Sequence, residues 1–299
     1  MATTKPSRIT LRRAATMAAL ALCLLAGAAW WEGGRLMAPA HAPVAKPSDL
    51  KFEAVSVPRD SRASLAGWFL RGRPGRGAVL LLHPLRANRM AMLGRARLLA
   101  GEGYSLLLID FQAHGESPGS HLTFGWLESQ DTRAALRYIH DRLPGERIGG
   151  IGISLGGASM LLGDQPVGLD AAVVEATYPT FEEGLDNRLR MRLGPLAPFA
   201  APLLSLQLRP RLGISPSDLR PIGGAARIGC PLLVVAGTND RHATLAQSRR
   251  LFAEARDPKE IWVVQGAGHE DFLSFDPRGY REHVLPFLAH QLRTAQPQS

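Results

Sequence analysis

The stretch Ile148–Gly157 reads IGGIGISLGG, so an apolar run passes directly into a serine flanked by glycines. Residues 148–153 carry no charge and are rich in isoleucine, which is typical of a strand buried on both faces. The pattern Gly152-Ile-Ser154-Leu-Gly156 follows, and a helix is predicted to begin near Leu155. A strand that enters a helix through this pattern predicts a sharp, strained turn with Ser154 at its apex.

Apolar runs of the same kind recur along the chain and alternate with helical patterns. Uninterrupted apolar strands separated by helices are typical of a parallel sheet that is covered on both faces. We therefore predict an α/β fold built on a doubly wound, mostly parallel eight-stranded sheet. The predicted strands are Phe52–Val57, Leu65–Leu70, Ala78–Leu82, Ser105–Ile109, Ile148–Ile153, Ala171–Val174, Leu232–Ala236 and Ile261–Val264.

Two further polar residues follow the last two predicted strands. Asp240 comes just after the seventh strand, and His269 lies on a Gly-rich turn after the eighth. Sites in open α/β sheets form at the carboxyl ends of strands, so Ser154, Asp240 and His269 are expected at one edge. A serine hydroxyl becomes a nucleophile when a base accepts its proton. Glu175, which ends an earlier strand, is an alternative acid for orienting the histidine.

From about Phe52 to Leu292 the chain resembles the α/β-hydrolase fold family. The motifs that carry the resemblance follow successive strands and are Leu80–Pro84, Asp110–Ser117, Gly152–Gly156, Asp240 and His269. They are most similar to the serine esterase/lipase-like and acyl-peptidase-like branches with a short cap. The resemblance implies that Ser154 is the nucleophile, His269 the general base and acid, and Asp240 the orienting carboxylate.

The same resemblance implies an oxyanion hole made by the backbone N–H groups of Leu85 and Leu155. The sequence departs from the family at Pro84, because glycine usually follows the histidine that is His83 here. Proline has no N–H and a fixed φ, which bears on the shape of the hole. Leu85, the next residue, still has its N–H. His83 and His114 are interpreted as packing or turn histidines.

The implied activity is hydrolysis of carboxylic esters through an acyl-enzyme intermediate, with a small-molecule or lipid-like ester as substrate and no cofactor. The same triad acting on peptides or thioesters, or in acyl transfer, is the near alternative. A non-catalytic scaffold protein with this fold is the alternative from another class, since a fold does not fix a function. Dehalogenases and epoxide hydrolases are disfavoured because their nucleophile is an aspartate.

Composition excludes several other classes. The 299 residues are 45% hydrophobic and 20% charged, which is typical of a globular protein. Two cysteines cannot form a disulfide framework or a cysteine metal cluster, and no carboxylate pair or histidine spacing indicates a metal site. The net charge is +9, but no stretch alternates basic and aromatic residues as a nucleic-acid-binding surface would. The oligomeric state is left open.

The N-terminus has the pattern of a membrane segment. The run from Ala14 to Trp31 has 18 residues without a charge, preceded by arginines and closed by two tryptophans. A helix of that length spans about 27 Å, close to the thickness of the hydrocarbon layer. Residues 1–37 are predicted as a signal-anchor or a signal peptide, with the catalytic domain outside the cytoplasm because the positive charges precede the run. Cleavage near Ala40, which would yield an exported or periplasmic protein, is the alternative.

The remaining boundaries follow from composition. Residues 38–50, with several prolines and alanines, are predicted as a linker, and residues 51–295 as the hydrolase domain. Residues 179–230 interrupt the alternation of strands and helices with prolines and arginines and are predicted as a cap insertion. The cap is expected either to meet acyl chains or anionic headgroups, or to be an ordinary solvated cap.

Overall fold

A computed structural model describes residues 8–61 and 63–293. Residues 1–7 of the predicted N-terminal segment and residues 62, 294 and 295 of the predicted hydrolase domain lie outside the described part. The strands are β1 Ala40–His41, β2 Glu53–Pro58, β3 Ser64–Leu70, β4 Ala78–Leu82, β5 Ser105–Ile109, β6 His114–Gly115, β7 Ile148–Ile153, β8 Ala171–Glu175, β9 Leu232–Gly237 and β10 Lys259–Val264. The α-helices are α1 Arg8–Met37, α2 Leu93–Gly101, α3 Trp126–Arg142, α4 Leu155–Leu161, α5 Phe181–Leu193, α6 Ala197–Ser205, α7 Leu208–Leu212, α8 Pro221–Ala225, α9 Leu245–Glu254, α10 Phe272–Phe275 and α11 Pro277–Leu292.

The central sheet has eight strands in the order β10-β9-β8-β7-β4-β5-β3-β2. Strand β3 is antiparallel to both of its neighbours, β2 and β5. Every other pair of adjacent strands in this sheet is parallel. The predicted mostly parallel, eight-stranded α/β fold is therefore confirmed.

Helices cover both faces of the sheet, and successive residues of a strand point to opposite faces. Strand β4 is buried throughout: Val79 and Leu81 belong to the core beneath α2 and α11. Residues 78, 80 and 82 of the same strand belong to the core beneath α3, α4 and α9. Burial on both faces is the physical reason for the uninterrupted apolar runs in the sequence.

The segment predicted as a linker is attached to the domain along part of its length. Residues Ala40 and His41, which form β1, pair in parallel with His114 and Gly115 of β6. Farther on, Val44 is buried among the core residues of the sheet. Residues 40–44 are therefore packed against the domain.

Residues 179–230 lie between β8 and β9 and are helical over much of their length, from α5 to α8. Helix α5 begins at Phe181 because Thr180 Oγ1 accepts a hydrogen bond from the N–H of Glu183 at 3.2 Å, which caps the helix. The apolar side chains of this insertion form a third cluster with α1 and α4, which includes Met37, Leu162 and Leu204. The insertion thus lies against the helix that follows Ser154 and against the end of α1.

Candidate active site

Ser154 stands between β7 and α4 in a strained backbone conformation, with φ 51° and ψ −104°. Such a conformation is costly for a residue with a side chain and persists only where surrounding contacts fix it. Two hydrogen bonds do so. The Ser154 N–H donates to the carbonyl of Glu175 at 2.7 Å, and the Ser154 carbonyl accepts from the N–H of Ala158 at 2.9 Å. The sharp turn predicted from the sequence is therefore present.

The glycines on either side of Ser154 are required by the closeness of the backbone. A Cβ at Gly152 would lie 2.3 Å from the carbonyl carbon of Gly156. A Cβ at Gly156 would lie 2.2 Å from the carbonyl oxygen of Leu82 at the end of β4. These distances are shorter than any van der Waals contact, so helix α4 can approach the sheet this closely only with glycine at both positions.

His269 and Asp240 are in direct contact. The Nδ1 of His269 lies 2.8 Å from Oδ2 of Asp240. The other oxygen of Asp240 accepts hydrogen bonds from the backbone N–H groups of His242 and Ala243, at 2.7 and 2.9 Å. A carboxylate held in this way accepts the Nδ1 proton, so Nε2 of a neutral His269 is left as the proton acceptor.

The hydroxyl of Ser154 is buried, and within the described part of the chain it has no hydrogen-bond partner. The structure therefore brings His269 and Asp240 together but gives no hydrogen bond between Ser154 and His269. Contacts of this kind are often long in the absence of substrate and tighten when substrate binds. A hydroxyl without a partner is free to rotate toward an incoming group.

The two residues predicted for the oxyanion hole lie at the ends of neighbouring strands. Leu155 is the first residue of α4, where backbone N–H groups lack partners within the helix. Leu85 lies in a turn after β4, which is closed by a hydrogen bond from Ala87 to Pro84 at 3.2 Å. His83 fixes this turn, because its Nδ1 lies 2.8 Å from the carbonyl oxygen of Pro84.

Glu175, the alternative acid, is occupied elsewhere. Its carboxylate forms an ion pair with the buried guanidinium of Arg95, whose Nε lies 3.0 Å from Oε1. It also accepts a hydrogen bond from the hydroxyl of Tyr280 at 2.7 Å. The geometry therefore favours Asp240 over Glu175 as the carboxylate that orients His269.

Comparison with known proteins agrees with this architecture. A sequence model of the alpha/beta hydrolase family matches residues 79–283. The chain belongs to the alpha/beta hydrolase family. Among curated relatives of this hydrolase, the uncharacterized protein Rv2307c of Mycobacterium tuberculosis is 30% identical over 269 residues, covering 87% of this chain and 88% of the relative. The uncharacterized protein YqkD of Bacillus subtilis is 23% identical over 243 residues, covering 79% and 78%.

Solved structures share the fold of this hydrolase at low sequence identity. The esterase Pf2001 of Pyrococcus furiosus aligns with a TM-score of 0.69 and 22% identity, covering 86% of this chain and 98% of that one. The monoacylglycerol lipase of Paleococcus ferrophilus aligns with a TM-score of 0.55 and 22% identity, covering 76% and 99%. The fold and the family are thus those of a hydrolase.

Arg95 and His242 are two residues of the candidate site that the sequence analysis did not single out. Arg95 on α2 is fully buried and also reaches Asp271, two residues beyond His269, at 2.9 Å. The ring of His242 packs on that of His269 with centroids 4.6 Å apart. Burial, with a smaller contribution from the neighbouring His269, lowers the pKa of His242 to about 4, so His242 is neutral near pH 7.

We expect Arg95→Met to lower the free energy of unfolding of the hydrolase by about 3–5 kcal/mol, because it leaves Glu175 buried without its cation. Arg97→Met is the matched control two residues away, since Arg97 forms an exposed ion pair with Asp49. That control should have a much smaller effect. Denaturant unfolding of both variants measures the difference, and equal effects would contradict the role of Arg95.

Because of His83, the free energy of unfolding of the hydrolase should increase as the pH rises from 4 to 6. Burial lowers its pKa to about 3, so the unfolded chain binds a proton at pH values where the folded protein does not. One such proton contributes a slope of about 1.4 kcal/mol per pH unit to the free energy of unfolding. We expect His83→Gln to reduce the measured slope by about this amount. Equal slopes in variant and wild type would show that His83 is not buried in its neutral form.

Proposed function

We propose that this protein is a serine hydrolase that cleaves carboxylic esters through an acyl-enzyme intermediate. The observation that carries the proposal is the contact between His269 Nδ1 and Asp240 Oδ2 at 2.8 Å. It occurs in a chain that also holds a buried, unpartnered serine hydroxyl on a strained turn at the end of β7. A nucleophile, a base and an orienting carboxylate are the three groups that acyl transfer needs.

In this mechanism the Oγ of Ser154 attacks the ester carbonyl while Nε2 of His269 takes its proton. Asp240 holds the ring in the required tautomer and stabilises the imidazolium that forms. The negative charge on the former carbonyl oxygen is held by the N–H groups of Leu155 and Leu85, each worth a factor of about 10²–10³ in rate. The ester C–O bond then breaks, and the alcohol leaves with the proton from His269.

Water completes the cycle. His269 takes a proton from a water molecule, which attacks the acyl carbonyl and forms a second tetrahedral intermediate. The bond between Ser154 Oγ and the acyl carbon breaks, Ser154 regains its proton from His269, and the carboxylic acid is released.

The fold neighbours named as an esterase and a monoacylglycerol lipase support esters as the substrate class. Helix α1 supports attachment to a membrane, because Thr16–Met37 is long and apolar enough to cross a bilayer and residues 16–28 of it are exposed. Arg12 and Arg13 precede this segment, and positive charges favour the cytoplasmic side, which supports a hydrolase domain outside the cytoplasm.

A fluorophosphonate probe should label the wild-type full chain, and Ser154→Ala should abolish both labelling and ester hydrolysis. Ser159→Ala is the matched control, because Ser159 lies on the same helix and bonds to Thr132 Oγ1 and to the carbonyl of Gly156. This control should still be labelled. Labelling of Ser154→Ala would show that another serine is the nucleophile, and a folded wild type that resists the probe would favour a non-catalytic scaffold.

Asp240→Asn should lower kcat by about 10⁴-fold, because an amide cannot hold His269 in the required tautomer. Glu175→Gln tests the alternative acid and should retain far more activity, since Glu175 contacts Arg95 and Tyr280 and not His269. Steady-state hydrolysis of a short-chain ester by the two folded variants provides the comparison. The reverse order of activities would reassign the acid to Glu175.

A further inference from the structure

An apolar pocket opens beside the turn that carries Leu85. The space within it is about 690 Å³ when its open mouth is counted. One wall is the turn itself, and a second wall comes from the cap helices α5 and α6, with Phe181 and Leu204. A third wall is the last turn of α1, with Leu36 and Met37. The end of the candidate membrane helix is therefore part of a cavity next to the proposed oxyanion hole.

Arg86, the residue after Leu85, connects helix α1 to the turn that carries Leu85. The guanidinium of Arg86 donates to the carbonyl oxygens of Arg35 and Leu36, at 2.6 and 3.1 Å. These are among the last carbonyls of α1, where a cation is favoured by the helix dipole. The position of α1 and the shape of the turn are thus coupled.

The cap holds α1 from the other side. Gln207 donates to the carbonyl of Ala29 at 2.8 Å, and a Cβ at Gly33 would lie 2.1 Å from Oε1 of Gln207. The guanidinium of Arg211 lies 3.9 Å from the ring centroid of Trp30. A glycine that permits such close contact indicates that α1 is packed into the cap and does not merely extend from it.

The surface of the cap next to α1 is apolar and exposed. Its large exposed side chains are Leu193, Leu196, Phe199, Leu203 and Leu206, and Phe199 is 75% exposed. An exposed apolar patch of this kind marks an interaction surface. Helix α1 continues from it into the candidate membrane span, so a bilayer that holds α1 also meets this face of the cap.

We infer that the pocket holds the acyl chain of a long-chain ester that enters from the bilayer around α1, and that the end of α1 is a wall of the substrate site. This inference rests on the proposed function and names its substrate class. The carbonyl of the ester lies at Ser154 and the turn of Leu85, and the chain extends between α1 and the cap helices. The helix acts as a specificity element in addition to its role as an anchor.

The test uses the full chain in phospholipid vesicles with 4-nitrophenyl butanoate and 4-nitrophenyl hexadecanoate. Leu36→Trp should fill the pocket and lower the ratio of kcat/KM for the long ester to kcat/KM for the short ester by about tenfold or more. Leu25→Trp is the matched control, because Leu25 lies on the same helix and is 63% exposed. Equal losses for both esters, or no loss for either, would overturn the inference.

A second measurement does not depend on catalysis. A hexadecanoyl ester with a diazirine at the chain end is added to vesicles that carry the Ser154→Ala protein, and cross-links are mapped by mass spectrometry. We expect cross-links at Leu36, Met37 or Leu204, and fewer of them when Leu36→Trp is added. Labelling should be faster when the ester and the protein share a vesicle than when the ester is supplied in separate vesicles without protein. Cross-links confined to the exposed face of α1, or equal labelling from separate vesicles, would overturn the inference. Failure of the wild type to hydrolyse any ester would count against the proposed function instead.

Discussion

Close backbone contact between α4 and the ends of β4 and β7 is the constraint on which the site depends. Gly152 and Gly156 permit it, and Ser154 takes up the strained conformation that results. Because the helix starts immediately after Ser154, its first N–H groups lie beside the serine, where the proposed mechanism needs donors for the developing negative charge. Strain at one residue thus brings a hydroxyl and hydrogen-bond donors to the same edge of the sheet.

The buried guanidinium of Arg95 connects the segment that carries His269 to the edge of the sheet where Ser154 lies. Arg95 pairs with Glu175, whose backbone carbonyl accepts the Ser154 N–H, and with Asp271 in the segment that carries His269. The proposed nucleophile and base are more than one hundred residues apart in sequence, and this guanidinium contacts the surroundings of both. A buried cation with two anionic partners fixes distances well, because loss of any partner leaves a charge without compensation.

The strands could be predicted from sequence because burial on both faces demands continuous apolar runs. Ser154, Asp240 and His269 could be proposed because each follows such a strand. Other features depend on contacts between distant residues. Glu175 is paired with Arg95, which lies 80 residues earlier in the chain. The strand pairing of Ala40 with His114 likewise leaves no pattern in the sequence around either residue. The contact between Arg86 and the end of α1 also requires the folded chain, since a lone arginine after a strand is common on protein surfaces.

The attachment of α1 at both its end and its side has a consequence for how the protein would search for substrate. If α1 lies in a bilayer as proposed, no flexible linker would separate the candidate active site from the membrane surface, because residues 40 and 41 pair with β6 and α1 itself is bonded to Arg86 and Gln207. In the proposed membrane-bound state the domain would therefore not rotate freely, and it would diffuse in two dimensions with one orientation toward the lipid. Its rate would then follow the mole fraction of ester in the bilayer, and dilution of the surrounding solution would leave that rate unchanged.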